Sequence, residues 1–321
     1  MDFLFLGTSS GTPTRTRNVT GLALRSGRRW ILIDCGEGIQ YRLMHSPLSP
    51  VHLEAVLITH LHGDHVYGLP GLLGSMSMLG RKMPLVLVGP AELEAFLKPI
   101  IELTQLRLSF PLLFKQAGPD LDLELLGHKV SAIELSHRIQ SFAYGFTEKS
   151  PPLHLNIAKL KQIGVPDGPI LGQLKRGETV VWNGQALNRA DYCLPQCAPL
   201  RFAIGGDNDQ PQRLAEFCQG ADLLVHEATY LHADWQKVGP GPMHSSAQMV
   251  AEMAQACGLR QLVLTHFSPR YADSKGQGSW VGDLKSEATQ HFSGPVFLAF
   301  DGAHFDLDAY GNLQSQPSWL T

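Results

Sequence analysis

A chain of 321 residues, 44% hydrophobic and 17% charged, has the composition of an ordinary globular protein and is neither fibrous nor disordered. A net charge of -3, with histidine neutral, excludes a globally basic nucleic-acid binder, so any site for a polyanion must be a local patch. Five scattered cysteines, an odd number, argue for reduced thiols rather than a disulfide framework.

The N-terminal "MDFLFLGTSSG" lacks a basic flank, and its apolar run is too short for a secretory signal. No apolar stretch approaches the ~18 residues needed to span a bilayer, so a cytoplasmic protein is expected, with no membrane partner. "FLFLG" (3–7), "GLALRS" (21–26) and "WILIDCG" (30–36) read as strands, the last two joined by a Gly27–Arg29 turn. "AVLITH" (55–60) is an apolar strand that runs into "ITHLHGDHVYG" (58–68). "PLVLVG" (84–89) is a further strand, followed by a helix from about Ala91 to Thr104. "HKVSAIELSH" and "SFAYGF" predict strands around 128–146.

From about Glu148 to Cys197 the pattern lapses into Pro, Gly and polar residues with short helical hints, and the segment at about 148–195 reads as an inserted arm. "CLPQC" (193–197) has loose metal-knuckle spacing, but no second cysteine pair follows it. The basic residues between 159 and 176, like "RTRN" near the N-terminus, are small charge clusters of the kind that usually form solvated faces. Beyond the arm, "LRFAIGGD" (200–207), "DLLVHEAT", "QLVLTHFSPRY" and "PVFLAFDG" read as strands. "PQRLAEFCQ" and "SSAQMVAEMAQACG" read as helices. Two β-rich halves flanked by helices predict an α/β protein with a four-layer αββα arrangement.

Polar chemistry recurs where the strands end, at His60, His137, Asp207, Glu227 and His266. A rigid sheet fixes the backbone at such points while the loop beyond frees the side chain. A lone histidine there is ordinarily a satisfied core or surface residue. The cluster His60, His62, Asp64 and His65 is different, because groups this dense are costly to bury without a partner. Four ligands on one short loop cannot all surround a single ion. Two ions, completed by later strand ends, are expected; imidazole with carboxylate suits zinc, with manganese or iron also compatible.

"HLHGDH" matches the HxHxDH motif of the metallo-β-lactamase superfamily. Most of the chain further resembles the ribonuclease Z family, tRNA 3′-processing endonucleases, in its short bacterial form. The matches are "SSGTPTRTRN" (9–18), "DCGEG" (34–38), "SHRIQSFAYGF" (136–146), "GPILGQLKRGE" (168–178), "GGDN" (205–208), "HEAT" (226–229), "HSS" (244–246) and "THFSPRY" (265–271). The resemblance implies a metallo-β-lactamase αββα sandwich, a single domain over 1–321 with a protruding, flexible tRNA-binding arm.

It also implies two zinc ions per subunit. His60, His62 and His137 would bind one, Asp64, His65 and His266 the other, and Asp207 would bridge them, with Asp64 also orienting the attacking water. His244 would protonate the leaving 3′-oxygen, held by Glu227, while His226 would be structural. Precursor tRNA would be cut near the discriminator, leaving a 3′-hydroxyl on the tRNA and a 5′-phosphate on the trailer. Arg15, Arg17 and Asn18 of "PTRTRN" match a loop associated with sensing the tRNA 3′ end, with Arg15 in place of lysine. On the arm, Gly168, Pro169, Lys159, Lys161, Lys175 and Arg176 would grip the tRNA elbow, and a homodimer is implied. Two departures stand out, Asn208 and Ser246 where the family usually shows threonine. The competing readings are a phosphodiesterase or arylsulfatase of the same fold acting on small esters, and a non-catalytic RNA-binding scaffold.

Overall fold

The computed structural model describes residues 1–276 and 278–320. Strands β1 (Asp2–Gly7), β2 (Gly21–Ser26), β3 (Arg29–Ile33), β4 (Leu53–Leu57), β5 (Leu85–Gly89) and β6 (Leu112–Gln116) form most of one sheet. Helices α1 (Ile39–Met44), α2 (Gly63–Val66), α3 (Leu69–Met78) and α4 (Leu93–Leu103) lie between them in the chain. Strands β7 (Leu123–Leu125), β8 (His128–Glu134) and β9 (Phe142–Glu148) begin a second sheet.

The chain then leaves the sandwich as β10 (Leu153–Leu155), α5 (Ile157–Gln162), α6 (Pro169–Arg176), β11 (Val180–Trp182), β12 (Gln185–Leu187), α7 (Arg189–Tyr192) and β13 (Cys193–Pro195). It returns through β14 (Arg201–Ile204), β15 (Leu223–Glu227), α8 (His232–Val238), α9 (Ala247–Ala256), β16 (Leu262–Thr265), α10 (Val281–His291) and β17 (Val296–Leu298). Strands β18 (His304–Leu307) and β19 (Leu313–Gln316) rejoin the first sheet. Among the described residues the sheet orders are β19-β18-β1-β2-β3-β4-β5-β6 and β17-β16-β15-β14-β9-β8-β7.

The period-2 pattern of the strands produces the layering. In β1, Phe3 and Phe5 face the second sheet with Phe202 and Tyr144, while Leu4 and Leu6 face the outer helices with Ile39 and Leu72. In β3, Ile31 and Ile33 divide from Trp30 and Leu32 in the same way. The outer face of the second sheet packs Leu224, Leu262 and Leu264 against Val250 and Ala251 of α9 and Leu284 of α10. The result is the expected αββα sandwich.

Two elements differ from expectation. "PQRLAEFCQ" forms only a 3₁₀ turn, Pro211–Leu214, whose preceding residue Gln210 offers no side-chain cap. The excursion after Glu148 is regular rather than irregular. Antiparallel pairs β10–β13 and β11–β12 frame short helices around a small core of Leu160, Val165, Leu174, Val180, Leu187 and Tyr192. Few apolar residues suffice for a unit this small, so its periodicity is weak in the sequence. No helix among the described residues is long and apolar enough to cross a membrane.

Strand direction positions the site. β14, β15, β16 and β17 are mutually parallel, and β8 joins the same direction because it is antiparallel to β9, itself antiparallel to β14. The residues following β8, β14, β15 and β16 therefore emerge at one end of the sheet, where the loop after β4 meets them.

Candidate active site

At that end, side chains from four strand ends converge in two groups. In the first, His62 Nδ1 lies 3.1 Å from both His60 Nε2 and His137 Nε2. Asp207 Oδ2 approaches His60 Nε2 at 3.5 Å and His137 Nε2 at 3.8 Å. In the second, His65 Nε2 and His266 Nε2 are 3.3 Å apart, with Asp64 Oδ2 3.4 Å and 3.3 Å from them. Asp207 Oδ1 lies 3.5 Å from His65 Nε2 and 3.4 Å from His266 Nδ1. The two oxygens of one carboxylate thus face the two groups.

The outward hydrogen bonds assign the tautomers. His137 Nδ1 donates to the Met243 carbonyl at 2.9 Å, and His65 Nδ1 donates to Asp34 Oδ2 at 2.7 Å. His60 Nδ1 sits 3.0 Å from Thr59 Oγ1, which itself donates to Asp34 Oδ2 at 2.8 Å. Each of these three rings therefore turns its Nε2 inward; burial would lower His65, but the Asp207, Asp34 and Asp64 carboxylates hold it well above the ordinary imidazole range. Burial, with neighbouring histidines, holds His60 well below the ordinary imidazole range. Burial and His137 bring His62 down to about 4, and burial also lowers His137. Burial would raise Asp64, but His65 and His266 hold its carboxyl well below the usual range. Imidazole nitrogens and ionised carboxylates aimed at common points, with His65 giving up its proton on binding, are a donor set that fits divalent cations.

Beside this centre, His244 Nδ1 donates to Glu227 Oε1 at 3.0 Å. Burial would depress His244, but the Glu227 and Asp207 carboxylates lift it to about 9. Burial would raise Glu227, yet His244 draws it down to about 2. The Asn208 amide at 2.9 Å and the Thr229 hydroxyl at 2.5 Å hold the same carboxylate. A cleft of about 430 Å³ opens over the centre, lined by Gly11, Glu37, His62, Asp64, Arg138 and His244 among others.

Several positioning residues were not singled out from the sequence. Asp34 accepts from the Thr59 amide at 2.7 Å as well as from Thr59 Oγ1 and His65, and its own backbone is left-handed, φ 59°. That conformation ends β3 at Ile33, shorter than expected. Gly36 is required by close approach, because a Cβ there would meet the Asp64 carbonyl at 2.2 Å. The Gly11 amide donates to Asp64 Oδ2 at 2.7 Å. "DCGEG" pointed at Asp34 and Gly36 only as a matched motif.

Comparisons with known proteins agree with this geometry. The curated Ribonuclease Z of Marinobacter nauticus is 47% identical over 96% of this chain and 97% of its own length. That of Pseudomonas putida F1 is 43% identical, over 98% and 99%. The chain belongs to the ribonuclease Z family. Among solved structures, human tRNase Z, short form, superposes with TM-score 0.67 at 28% identity, covering 96% of this chain and 100% of that one. The metallo-β-lactamase fold protein YhfI of Bacillus subtilis gives TM-score 0.66 at 19% identity, over 94% and 98%, a likeness of fold. A family profile described as Anti-Pycsar protein Apyc1 matches residues 1–101, which include the histidine loop.

In this member of the family, the expected substrate residues fall into two classes. Arg15 is exposed on its loop, as are Lys159, Lys161, Gly168, Pro169, Lys175 and Arg176 on the excursion. Lys159 Nζ lies over the Tyr192 ring at 4.9 Å, and Arg176 pairs with Glu178 at 2.7 Å. Arg17 is a correction: its side chain is buried, ion-paired with Asp273 and donating to the Ser268 and Tyr271 carbonyls at 3.2 Å and 3.0 Å. It anchors the loop and presents no free face to RNA. Asn18 is half-buried; its backbone N–H donates to Asp301 Oδ2 at 2.6 Å, and its side-chain Nδ2 is buried without a hydrogen-bond partner among the described residues.

The two departures keep their hydrogen bonds. Asn208 Oδ1 accepts from the Gln210 amide at 3.1 Å, and its Nδ2 meets His226 Nε2 at 3.2 Å. Ser246 still caps α9, accepting from the Met249 amide at 3.3 Å. His226 is fully buried, with Nδ1 donating to the Glu227 carbonyl at 2.7 Å, a packing role.

Proposed function

We infer that this tRNA-processing endoribonuclease cuts the 3′ trailer from precursor tRNA near the discriminator, leaving a 3′-hydroxyl on the tRNA and a 5′-phosphate on the trailer. The observation that carries the reading is Asp207, whose two oxygens face two separate groups of histidine and carboxylate ligands, with the His244–Glu227 pair alongside. His60, His62 and His137 would hold one ion, Asp64, His65 and His266 the other, with Asp207 shared between them. Zinc suits nitrogen-rich ligation of this kind, and manganese tolerates it.

When bound, such a pair supplies Lewis acidity at the scissile phosphate and water activation at neutral pH. The chain's own residues do the rest. Asp64, fixed by the Gly11 amide, orients the attacking water opposite the leaving oxygen. His244, kept protonated by Glu227 and Asp207, donates a proton from its Nε2 to the departing 3′-oxygen. Glu227 stays ionised, holding the ring through Nδ1.

For the substrate, exposed Arg15 contacts the 3′ end. The basic face of the arm (Lys159, Lys161, Lys175 and Arg176) grips the sugar-phosphate backbone by shape and charge rather than sequence. This reconciles a polyanionic substrate with a net charge of -3. A homodimer is supported by Tyr41 and Met44 of α1 and Tyr67, large apolar side chains 63–76% exposed that line one groove.

The test is to incubate purified protein with end-labelled precursor tRNAs, with and without an encoded CCA, and to map the products while measuring bound metal. Cleavage one side of the discriminator with about two metals per chain is expected. Hydrolysis of a small nucleotide diester with precursor tRNA left intact would overturn the reading.

A further inference from the structure

The loop from Thr8 to Asn18 rims the cleft and carries Arg15 at its tip. It is closed at its base by backbone bonds, the Thr8 and Ser9 amides both donating to the Asn18 carbonyl at 2.9 Å. Its middle touches the centre through the Gly11 amide on Asp64. Internally, Ser9 Oγ donates to the Thr12 carbonyl at 2.7 Å, and the Arg17 amide donates to Thr14 Oγ1 at 2.9 Å.

Both ends of this loop meet one carboxylate that lies outside the metal centre. Asp301 follows β17 in "LAFDGAH", and its side chain is only 3% exposed. Thr8 Oγ1 donates to Asp301 Oδ1 at 2.9 Å, from the loop's first residue. The Asn18 amide donates to Oδ2 at 2.6 Å, from its last. Arg42 Nη2 of α1 completes the set, also on Oδ2, at 3.0 Å. A buried carboxylate is costly unless its oxygens are paired, and its hydrogen bonds are then strong and directional. Every side-chain partner it has among the described residues belongs to this loop or to α1. Strand pairing and the layered core make no use of it.

We propose that Asp301 is a positioning residue for the substrate. It pins the Thr8–Asn18 loop at both ends, so that Arg15 is held at a fixed offset from the scissile phosphate and Gly11 stays on Asp64. The part concerning substrate rests on the reading of precursor tRNA given above; the pinning itself does not. Arg17, on the other flank, provides a second anchor through Asp273, and the exposed tip is left as the part free to meet the tRNA 3′ end. Because Asp301 touches neither ligand residues nor cleft, its loss acts on geometry rather than on chemistry.

The experiment compares full-length wild type with Asp301→Asn, which keeps the shape but sets an amide against a donor. Thr8→Val is the milder second variant, removing one donor with little change of volume. Three readouts are taken: hydrogen exchange of residues 8–18, kcat and KM on precursor tRNA, and hydrolysis of bis(p-nitrophenyl) phosphate. Expected are faster exchange confined to the loop and a KM for precursor tRNA raised about tenfold, the scale of losing one charge-assisted hydrogen bond. Diester hydrolysis should fall clearly less than precursor cleavage, because the diester makes no contact with Arg15 and feels only the loosened Gly11–Asp64 bond. Thr8→Val should move in the same direction by less. Unchanged exchange at 8–18 in both variants would overturn the proposal, whatever the substrate. Equal loss on tRNA and diester would overturn it too, since that reports a general structural role. Wild type failing on precursor tRNA would sink the substrate reading, while the exchange measurement still decides whether Asp301 pins the loop.

Discussion

Asp34 and His244 sit within a few ångströms of the same histidines, yet removing them has different consequences. Asp34 orients His65 directly and His60 through the Thr59 hydroxyl, so two rings lose their outward partner together. Asp34→Ala should lower metal affinity by about 10- to 100-fold, measured as metal retained after dialysis against a weak chelator. His244 instead adjoins the centre through Glu227. His244→Ala should retain both metals while precursor cleavage falls by about 10²- to 10⁴-fold, the range of a general acid. Metal lost from the His244 variant would remove it from the proton-donor role. The converging side chains were legible because histidine and carboxylate stood densely at strand ends. Asp34 was not, since a lone aspartate after a strand gives no local sign of partners at Thr59 and His65. Arg17 misled for the same reason: the "PTRTRN" match assigned it to RNA, but its partner Asp273 lies far along the chain.

At the scale of elements, strands read well wherever apolar alternation met a glycine or a ligand, and helices read well when long. The short 3₁₀ turn at Pro211–Leu214 failed because nine residues of helical composition carry no cap to start a helix. Pairing is where the sequence is mute: nothing local says that β1 lies between β2 and β18. Asp2 records that arrangement, accepting from Arg25 Nε at 3.0 Å on one neighbour and His304 Nε2 at 2.7 Å on the other. Its partial burial would raise its pKa, but these two bonds outweigh it and lower the carboxyl below its ordinary value. A depressed carboxyl contributes stability above the unfolded pKa of about 3.9 and loses it as pH falls through the folded value. Because Asp2 is partly exposed, Asp2→Asn should cost only about 0.5–1 kcal/mol at pH 7. In denaturant unfolding that difference should shrink toward zero as pH falls from about 5 to 3. A constant difference across that window would mean the tie is not electrostatic.

Across the whole molecule, the sandwich and the unit between β9 and β14 have separate cores. The small one is built from Leu160, Leu174, Leu187 and their neighbours, and the sandwich clusters contain none of these residues. The ends of the excursion are adjacent, with the Gln196 amide donating to the Pro152 carbonyl at 2.7 Å. Residues 153–195 can therefore be replaced by a short Gly-Ser turn without stretching β9 or β14. None of the residues that converge at the metal centre lies in the excised piece, so hydrolysis of bis(p-nitrophenyl) phosphate should stay within about twofold of wild type. If the basic residues of this unit hold precursor tRNA as proposed, losing several phosphate contacts at once should cut its cleavage by about 100-fold or more. The wild type should lose tRNA cleavage steeply with added salt while the deletion variant's residual activity does so weakly, because fewer counterions are released on binding. Equal losses on diester and tRNA would instead make the excursion part of the catalytic body. Its separate core argues for the first outcome: a unit that packs around itself supplies reach and charge, and the strand ends supply the chemistry.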